Sequence, residues 1–580
     1  MKLRTSFFNK TVLKKDITRF APVWGLYTVF MLLYLFLLWS GEDNAARFAN
    51  SASQIMPYMG VVNLIYGGIA AQMLFGDLFQ SKMAGALHAM PLRREGWFLT
   101  HFTAGMLFSI VPNTLGAILA CAILQEYCYL AFVWLLVMLL QYLFSFGVGV
   151  FSVQCAGNRL GALAIYGLFN FLAVLAAFLV DTFYAPVLYG IEPDVEKICR
   201  YAPAVGFSMS EYMDVDYDNM TRVAQVQMVG EDFRYLLLAS LVGIVLLAAA
   251  VVLYRRRPIE CAGDFVAVKP VAPAFLVIYT LCVGAVLYLF ADLVAADGEY
   301  LFLLVGFAVG FFTGWMLLEK KVNVFQGKKW LGLGIFTAVF FLTVTILWLD
   351  PVGVTRYVPE ASQVQSVDVS PYASRYYLDK KALNLTEQED IEEILSIHSD
   401  LVQTRPQDGN ELCVRLRYHL RGGGQVERQY FISAENENAK RLRIYFSDFR
   451  LVTQLENPEA LMEKVYAVSF RSYTDNLPDM EICTPAEKEE WGNKERFESG
   501  DCIYVNSLDT AVFRDLVAAI QADCASGAMA QQWEFHGGKE AEGMLEIRYM
   551  YGPHVEYLDI TVFDDCENTV NYLKTLAGKS

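Results

Sequence analysis

The first 350 residues alternate between long apolar stretches and short polar ones. Stretches free of Lys, Arg, Asp, Glu and His run over 22–40, 57–76, 102–124, 129–154, 162–180, 235–254, 273–291, 300–318 and 330–349. A helix needs about 20 apolar residues to cross a hydrocarbon core, and in lipid it must satisfy its own backbone, so ionisable side chains are costly there. The pattern predicts nine membrane-spanning helices, the third and fourth separated only by Gln125-Glu126-Tyr127-Cys128. The first apolar run exceeds the roughly 7–15 residues of a signal-peptide core, so it is read as a retained span, although Ala45, Ala46 and Ala49 follow it.

Beyond residue 350 the period changes. Leu412–Leu420 and Gln425–Ile432 alternate and flank Arg421-Gly422-Gly423-Gly424, a hairpin signal; Leu545–Tyr551 and Val555–Phe563 flank Gly552-Pro553 in the same way. Helical periodicity covers Glu387–Val402, Ser507–Ala522, with Ser507 as cap, and Cys566–Leu576. The expected fold is an α-helical polytopic membrane protein with about nine spans, followed by an α+β domain at 351–580 large enough to bury its own core.

Charge adds an orientation. Residues 1–350 hold 23 basic and 23 acidic side chains, so the net charge of −16 arises wholly within 351–580, which holds 23 basic and 39 acidic ones. Segments 1–21, 77–101, 155–161, 255–271 and 319–329 carry 18 Lys and Arg, whereas 41–56, 125–128, 181–234 and 292–299 carry 5. The two sets alternate strictly, and the positive-inside rule then predicts a cytoplasmic N-terminus and an extracytoplasmic 351–580 domain. Such an acidic domain argues against nucleic acid as a partner.

Candidate chemistry is sparse. The 11 cysteines form no CxxC pair, and Cys413, Cys483, Cys502, Cys524 and Cys566 read mainly as buried or inert thiols, with one disulfide as the alternative. The six histidines are scattered, none in a predicted span, and His419, His536 and His554 read as ordinary surface residues. Gly578-Lys579-Ser580 lacks the upstream glycine and following helix of a phosphate-binding loop, and no catalytic or metal-ligating spacing appears. The chain is read as a non-enzyme with no cofactor of its own. Asp77, Asp181 and Asp292 sit at span ends, which leaves no embedded carboxylate for ion coupling.

Four segments stand out. Leu13, Ile17 and Phe20, with Phe8 and Val12, fall at helical spacing beside Lys10, Lys14 and Lys15, which predicts a surface-lying amphipathic helix within 5–20. In the loop 77–101, Met83, Ala86, Leu87 and Met90 form a helical apolar stripe before Pro91, followed by Arg93 and Arg94; that stripe needs the membrane surface or a partner protein. Gly306, Gly310 and Gly314 form a row of small residues suited to close helix packing, within the chain or in a dimer. Loop 181–234 holds 10 acidic residues and reads as a solvated acidic loop, with a calcium site as the alternative.

Two stretches carry a family resemblance. One is Asp77-Leu78-Phe79-Gln80-Ser81-Lys82-Met83-Ala84-Gly85-Ala86-Leu87-His88-Ala89-Met90-Pro91-Leu92-Arg93-Arg94-Glu95; the other is Trp348-Leu349-Asp350-Pro351-Val352-Gly353-Val354-Thr355-Arg356-Tyr357-Val358-Pro359. Both resemble bacterial ABC-2-type transporter permeases of Gram-positive (Firmicutes) lineages that carry a C-terminal extracytoplasmic domain of unknown function. The resemblance implies a plasma-membrane location and an amphipathic connecting helix at 1–21. It also implies a six-span permease core at 22–257, three added helices at 258–350 and an outer domain at 351–580. It further implies separate ATP-binding subunits, which would hold ATP and Mg, and a second permease subunit. Met83, Ala86, Leu87, Met90, Arg93 and Arg94 would form the coupling helix that docks on the ATPase. The implied activity is export of an amphipathic substrate such as a drug or antimicrobial peptide. The alternative is a non-transporting sensor whose outer domain binds a peptide, envelope component or partner protein.

Overall fold

The computed structural model describes the chain except residues 1–7, 42–43, 84, 86–92, 219–222, 295–297, 372–381, 405–411, 454–464, 475, 484–501, 506–509, 534–540, 552–553 and 579–580. Among the described residues nine helices are long and apolar enough to cross a membrane. This fits a multi-pass membrane protein. After a short α1 (Lys10–Arg19) they are α2 (Ala21–Gly41), α3 (Ala45–Phe75), α4 (Arg94–Leu124), α5 (Tyr129–Cys155), α6 (Arg159–Leu179), α7 (Gly230–Arg256), α8 (Val271–Leu293), α9 (Glu299–Glu319) and α10 (Gly327–Leu349). The chain divides into two compact units, a helical one (1–184 and 193–345) and a C-terminal one (185–192 and 346–580).

In the helical unit α5 is the central element. From Gln141 to Ala156 nearly every side chain is buried, polar ones included. Glycines allow this: a Cβ on Gly147 would lie 2.6 Å from the carbonyl oxygen of Gly243 on α7, and one on Gly149 would lie 2.7 Å from Ala71 Cβ on α3. With lipid outside there is little hydrophobic drive between helices, so close backbone approach supplies the attraction. The helices α8, α9 and α10 form a second apolar core around Phe307, Phe311 and Phe340, joined by Phe183 from the end of α6.

Gly306, Gly310 and Gly314 lie against α8. Their added Cβ atoms would meet Gly284 Cα at 2.7 Å, Val283 Cβ at 2.9 Å and Leu276 Cδ1 at 2.7 Å respectively. At Gly306 the obstacle is backbone, which cannot swing aside. Gly306→Val is therefore expected to push α8 and α9 apart at a cost of about 1–3 kcal/mol. The check is thermal denaturation of the full chain in detergent, with Gly334→Val, where a Cβ meets open space, as the control.

The acidic loop is more ordered than its composition suggests. Met213–Asp218 (β1) and Val223–Met228 (β2) form an antiparallel hairpin, and Tyr212, Met213 and Val215 are buried in the helical core. Asp232, itself buried, accepts hydrogen bonds from Arg200 Nη2 at 2.6 Å and from the amide of Glu211 at 2.8 Å. The carboxylates Glu192, Asp194, Glu196, Glu211, Asp214 and Glu231 are exposed, as expected of a solvated loop, while Tyr212, Met213 and Val215 give the hairpin an apolar anchor.

Among the described residues the C-terminal unit contains two sheets built on one plan. The first half runs β3 (Val364–Ser370), β4 (Leu383–Leu385), α11 (Gln388–Thr404), β5 (Leu412–Leu420), β6 (Gln425–Ile432) and α12 (Glu437–Phe446), with strand order β4-β3-β5-β6. The second runs β7 (Val465–Ser472), β8 (Asp479–Cys483), β9 (Cys502–Val505), α13 (Thr510–Ser526), β10 (Ala541–Tyr551), β11 (His554–Phe563) and α14 (Glu567–Ala577), ordered β11-β10-β7-β8-β9. Apart from β9, which adds in parallel to β8, the succession ββαββα and the pairing are the same. Each sheet covers its helices with a separate core. The C-terminal unit is thus a tandem repeat. The expected hairpins and helices fall where these elements lie, with Ser507 and the turn Gly552-Pro553 outside the described residues. Cys413, Cys524 and Cys566 are buried free thiols.

Candidate functional site

Two places in the helical unit carry features beyond packing: the end of the loop 77–101, and the surface of α6.

Of the proposed coupling residues, Ala86, Leu87 and Met90 lie outside the described residues. Met83 is exposed and helical. Arg93 occupies the N-cap of α4. Arg94 follows it, and its Nη1 donates to the carbonyls of Arg255 at 3.1 Å and Arg257 at 3.4 Å, at the C-terminal end of α7. A cation there opposes the negative end of the helix dipole. Glu95 pairs with Arg255 at 3.2 Å. Arg257 in turn points back into the bundle, where its Nη1 donates to the carbonyls of Val153 and Gln154 at 2.7 and 3.3 Å, the end of α5. Residues 93–95 thus connect α4 directly to α7 and, through Arg257, to α5.

Next to them, α1 is clamped to α4. Asn9 caps it by accepting from the amides of Thr11 and Val12. Leu13 and Ile17 pack on the bundle core, and Phe20 is buried there. Asp16 is buried too, and its carboxylate lies 2.8 Å from His101 Nδ1. His101 sits in the first part of α4 against Trp97 and Phe75. The expectation of no histidine in a span is corrected here: the helix begins at Arg94, several residues before the uncharged run, because a buried Asp–His pair makes the polar positions tolerable.

Asn113, Gln141 and Asn170, polar residues within the apolar runs, separate into two kinds. Asn113 and Gln141 join a buried network across four helices: Tyr27 donates to Asn63 Oδ1 at 2.9 Å, Asn63 Nδ2 to Gln141 Oε1 at 2.9 Å, and Gln141 Nε2 to the hydroxyl of Tyr212 at 3.2 Å, while Asn113 reaches Tyr27. Such a network fixes helix register. Asn170 only donates to the carbonyl of Tyr166 in its own helix.

The helix α6 borders two apolar grooves. One, of about 360 Å³, lies between α3 and α6, walled by Leu64, Ile65, Gly68, Ile69, Met73 and Leu163, with Gln72 and Arg159 as its polar residues and Tyr166 behind. The other, of about 310 Å³, lies between α6 and α8 and is lined by Phe171, Leu172, Phe275 and Tyr279 among others. The first pairs an apolar wall with a cationic end, the arrangement an amphiphile requires.

In the C-terminal unit sequence reasoning missed His398. It is buried in α11, stacked on Tyr418 with ring centroids 5.5 Å apart, its Nδ1 3.0 Å from the Tyr418 hydroxyl. Burial, and then the nearby Arg428 guanidinium, push its pKa down to about 3. A folded value below the ordinary 6.5 means that the neutral ring stabilises the fold fully above pH 6.5, and that this contribution is lost as pH falls toward 3. Between pH 6.5 and 4 the native chain is expected to lose about 3 kcal/mol more than His398→Phe, at about 1.4 kcal/mol per unit. Denaturation midpoints across that range test it; parallel curves would refute it. His419, expected to be an ordinary surface residue, instead lies 2.7 Å from Asp368. His536, and the side chain of His554, lie outside the described residues. Among the described residues no group of three His, Cys, Asp or Glu side chains is placed to hold a metal.

Protein-family models, curated proteins and solved structures yield no match to this chain.

Proposed function

We propose that this chain is the membrane subunit of an ATP-driven exporter in a Gram-positive plasma membrane. Separate ATP-binding subunits dock on the loop 77–101, and a second permease subunit completes the pathway. The N-terminus faces the cytoplasm and residues 351–580 face outward. The cargo is amphipathic, such as a drug or antimicrobial peptide.

The observation that carries this reading is the wiring of the loop's end. A partner that moves residues 77–95 pulls on α4 through the backbone, on α7 through Arg94 and Glu95, and on α5 through Arg257. A protein whose inner loop only linked two spans would not need those bonds. The groove between α3 and α6 supplies the second support, because its apolar wall and Arg159 suit an amphiphile carrying a negative group. ATP shifts such a machine only by binding one of its states more tightly.

The test is gentle extraction of the tagged chain from its native membrane with crosslinker and nucleotide, followed by mass spectrometry. A stoichiometric companion with a phosphate-binding loop and an ATPase signature is expected; its absence sinks the reading. A reporter fused after Ser580 tests the orientation, and cytoplasmic activity of that reporter would reverse it. The grouping of residues 185–192 with the C-terminal unit favours a second reading, in which the chain is a sensor that relays partner motion to its outer domain without moving cargo. Deleting residues 360–580 separates the two, since an exporter retains cargo movement and a sensor loses its response.

A further inference from the structure

The C-terminal unit takes in eight residues that lie more than 150 positions before the rest of it. Residues 185–192 follow α6 with no break: the helix passes into a π-helical turn at Val180–Tyr184 and a 3-10 turn at Ala185–Val187. The next residues are held by the first repeat at three points. The Tyr189 hydroxyl donates to the carbonyl of Leu401 at 3.3 Å, and its ring meets that of Tyr430 at 5.4 Å. The amide of Gln429 donates to the carbonyl of Gly190 at 3.1 Å. Glu192 lies 3.2 Å from Nη2 of Arg415, a guanidinium whose side chain is 2% exposed and which also binds Gln429 across the β5–β6 pair.

None of this completes the sheet, whose four strands are paired without it. The segment is an addition to a finished repeat, and the second repeat carries no counterpart among the described residues. Holding it requires a buried arginine, which is costly unless its partners stay in place. It also requires a glycine: Gly190 has φ +76°, and a Cβ there would lie 2.5 Å from the Tyr430 ring. A π-helical turn just ahead of such a hold is a common mark of a functional position.

We infer that residues 185–192 are a clasp by which the C-terminal repeat holds the end of α6, so that a change in the repeat is felt at the one helix that borders both grooves. The clasp works in either reading of the function, since it needs neither cargo nor nucleotide.

The experiment is hydrogen exchange of the full chain in lipid nanodiscs, read by mass spectrometry over residues 175–192. Gly190→Val ejects the clasp by steric conflict without altering the sheet's hydrogen bonds; Glu192→Gln weakens it at a half-exposed position and leaves the core intact. Gly190→Val is expected to speed exchange at least tenfold at both 185–192 and 180–184, with Glu192→Gln intermediate and the amides that pair β5 with β6 unchanged; the Gln429 amide, which donates to Gly190, speeds with the clasp. Wild-type protection at 185–192 in Gly190→Val would overturn the clasp. Faster exchange at 185–192 with wild-type protection at 180–184 would overturn its hold on α6. If β5–β6 amides other than that of Gln429 also lose protection, Glu192→Gln alone decides on the same criteria.

Discussion

Replacing Arg94 by glutamate is expected to cut cargo-stimulated ATPase activity of the reconstituted complex at least tenfold, while the chain still inserts and survives purification. The native guanidinium donates to two carbonyls at the end of α7. A carboxylate in its place has no hydrogen to donate, faces the negative end of the helix dipole, and stands beside Glu95. Two hydrogen bonds at about 1 kcal/mol each, plus the repulsion, exceed the roughly 1.4 kcal/mol that a tenfold effect requires. The loop's end would then move without α7 following. Arg94→Lys keeps the charge and loses the planar fork, so it should fall between, at about two- to threefold. Normal coupling in Arg94→Glu would remove the loop from the mechanism. Equal loss in Arg94→Lys and Arg94→Glu would point to geometry rather than charge.

The nine apolar helices were legible because lipid imposes a length and forbids charge, and both are visible in single residues. The boundaries were less so. Three helices begin well before their uncharged runs, α3 by twelve residues, α4 by eight and α7 by five; in α4 and α7, Glu95, His101, Asp232 and Arg234 are tolerated near the ends where partners or solvent reach them. The hairpins at 412–432 and 541–563 were legible for the opposite reason, a two-residue period bracketed by glycine. Their membership of a repeat was not. Leu416-Arg417-Tyr418 and Ile547-Arg548-Tyr549 occupy matching strands, and Glu437-Asn438 and Glu567-Asn568 open matching helices, but five residues spread over some 200 make no periodic signal. What repeats is the order of strand pairing, which many sequences satisfy equally well.

The candidate site was legible as composition and not as connection. The stripe of the loop 77–101 and its arginines can be seen in sequence, yet the partners of Arg94 are about 160 residues away, at backbone carbonyls that have no sequence signature. Asp16 and His101, Gly190 and Tyr430, and Arg415 and Glu192 are equally remote pairs. Burial of a charged or polar group is tolerable only with such a partner, so the long-range pairs mark where the fold is most specific. A lone buried-looking Asp in a basic amphipathic segment, as at position 16, is the one clue that was available.

Asp523 shows what one such remote partner is worth. Its carboxylate, fully buried on α13, accepts from the amide of Asn568 at 3.1 Å, the Asn568 side chain at 2.8 Å and the amide of Thr569 at 2.7 Å. These are the first amides of α14, whose N-cap is Cys566, a side chain that makes no capping hydrogen bond. The neighbouring helix thus does the capping. Asp523→Ala leaves the buried amide of Thr569 unpaired, while exposed Asn568 can turn to water, and is expected to cost about 2 kcal/mol, above the roughly 1 kcal/mol of an ordinary cap. The matching helix of the first repeat provides the scale: α12 is capped by its own Asn436, which accepts from Asn438 at 2.9 Å, so Asn436→Ala should cost only about 1 kcal/mol. Because each repeat has its own core, the effect should be local. Pulse proteolysis of the full chain is expected to cut first around α13 and α14 in Asp523→Ala, while fragments spanning β3–β6 persist. Equal costs for the two substitutions would mean that the carboxylate is an ordinary cap, and that burial adds nothing to its hold on the second repeat.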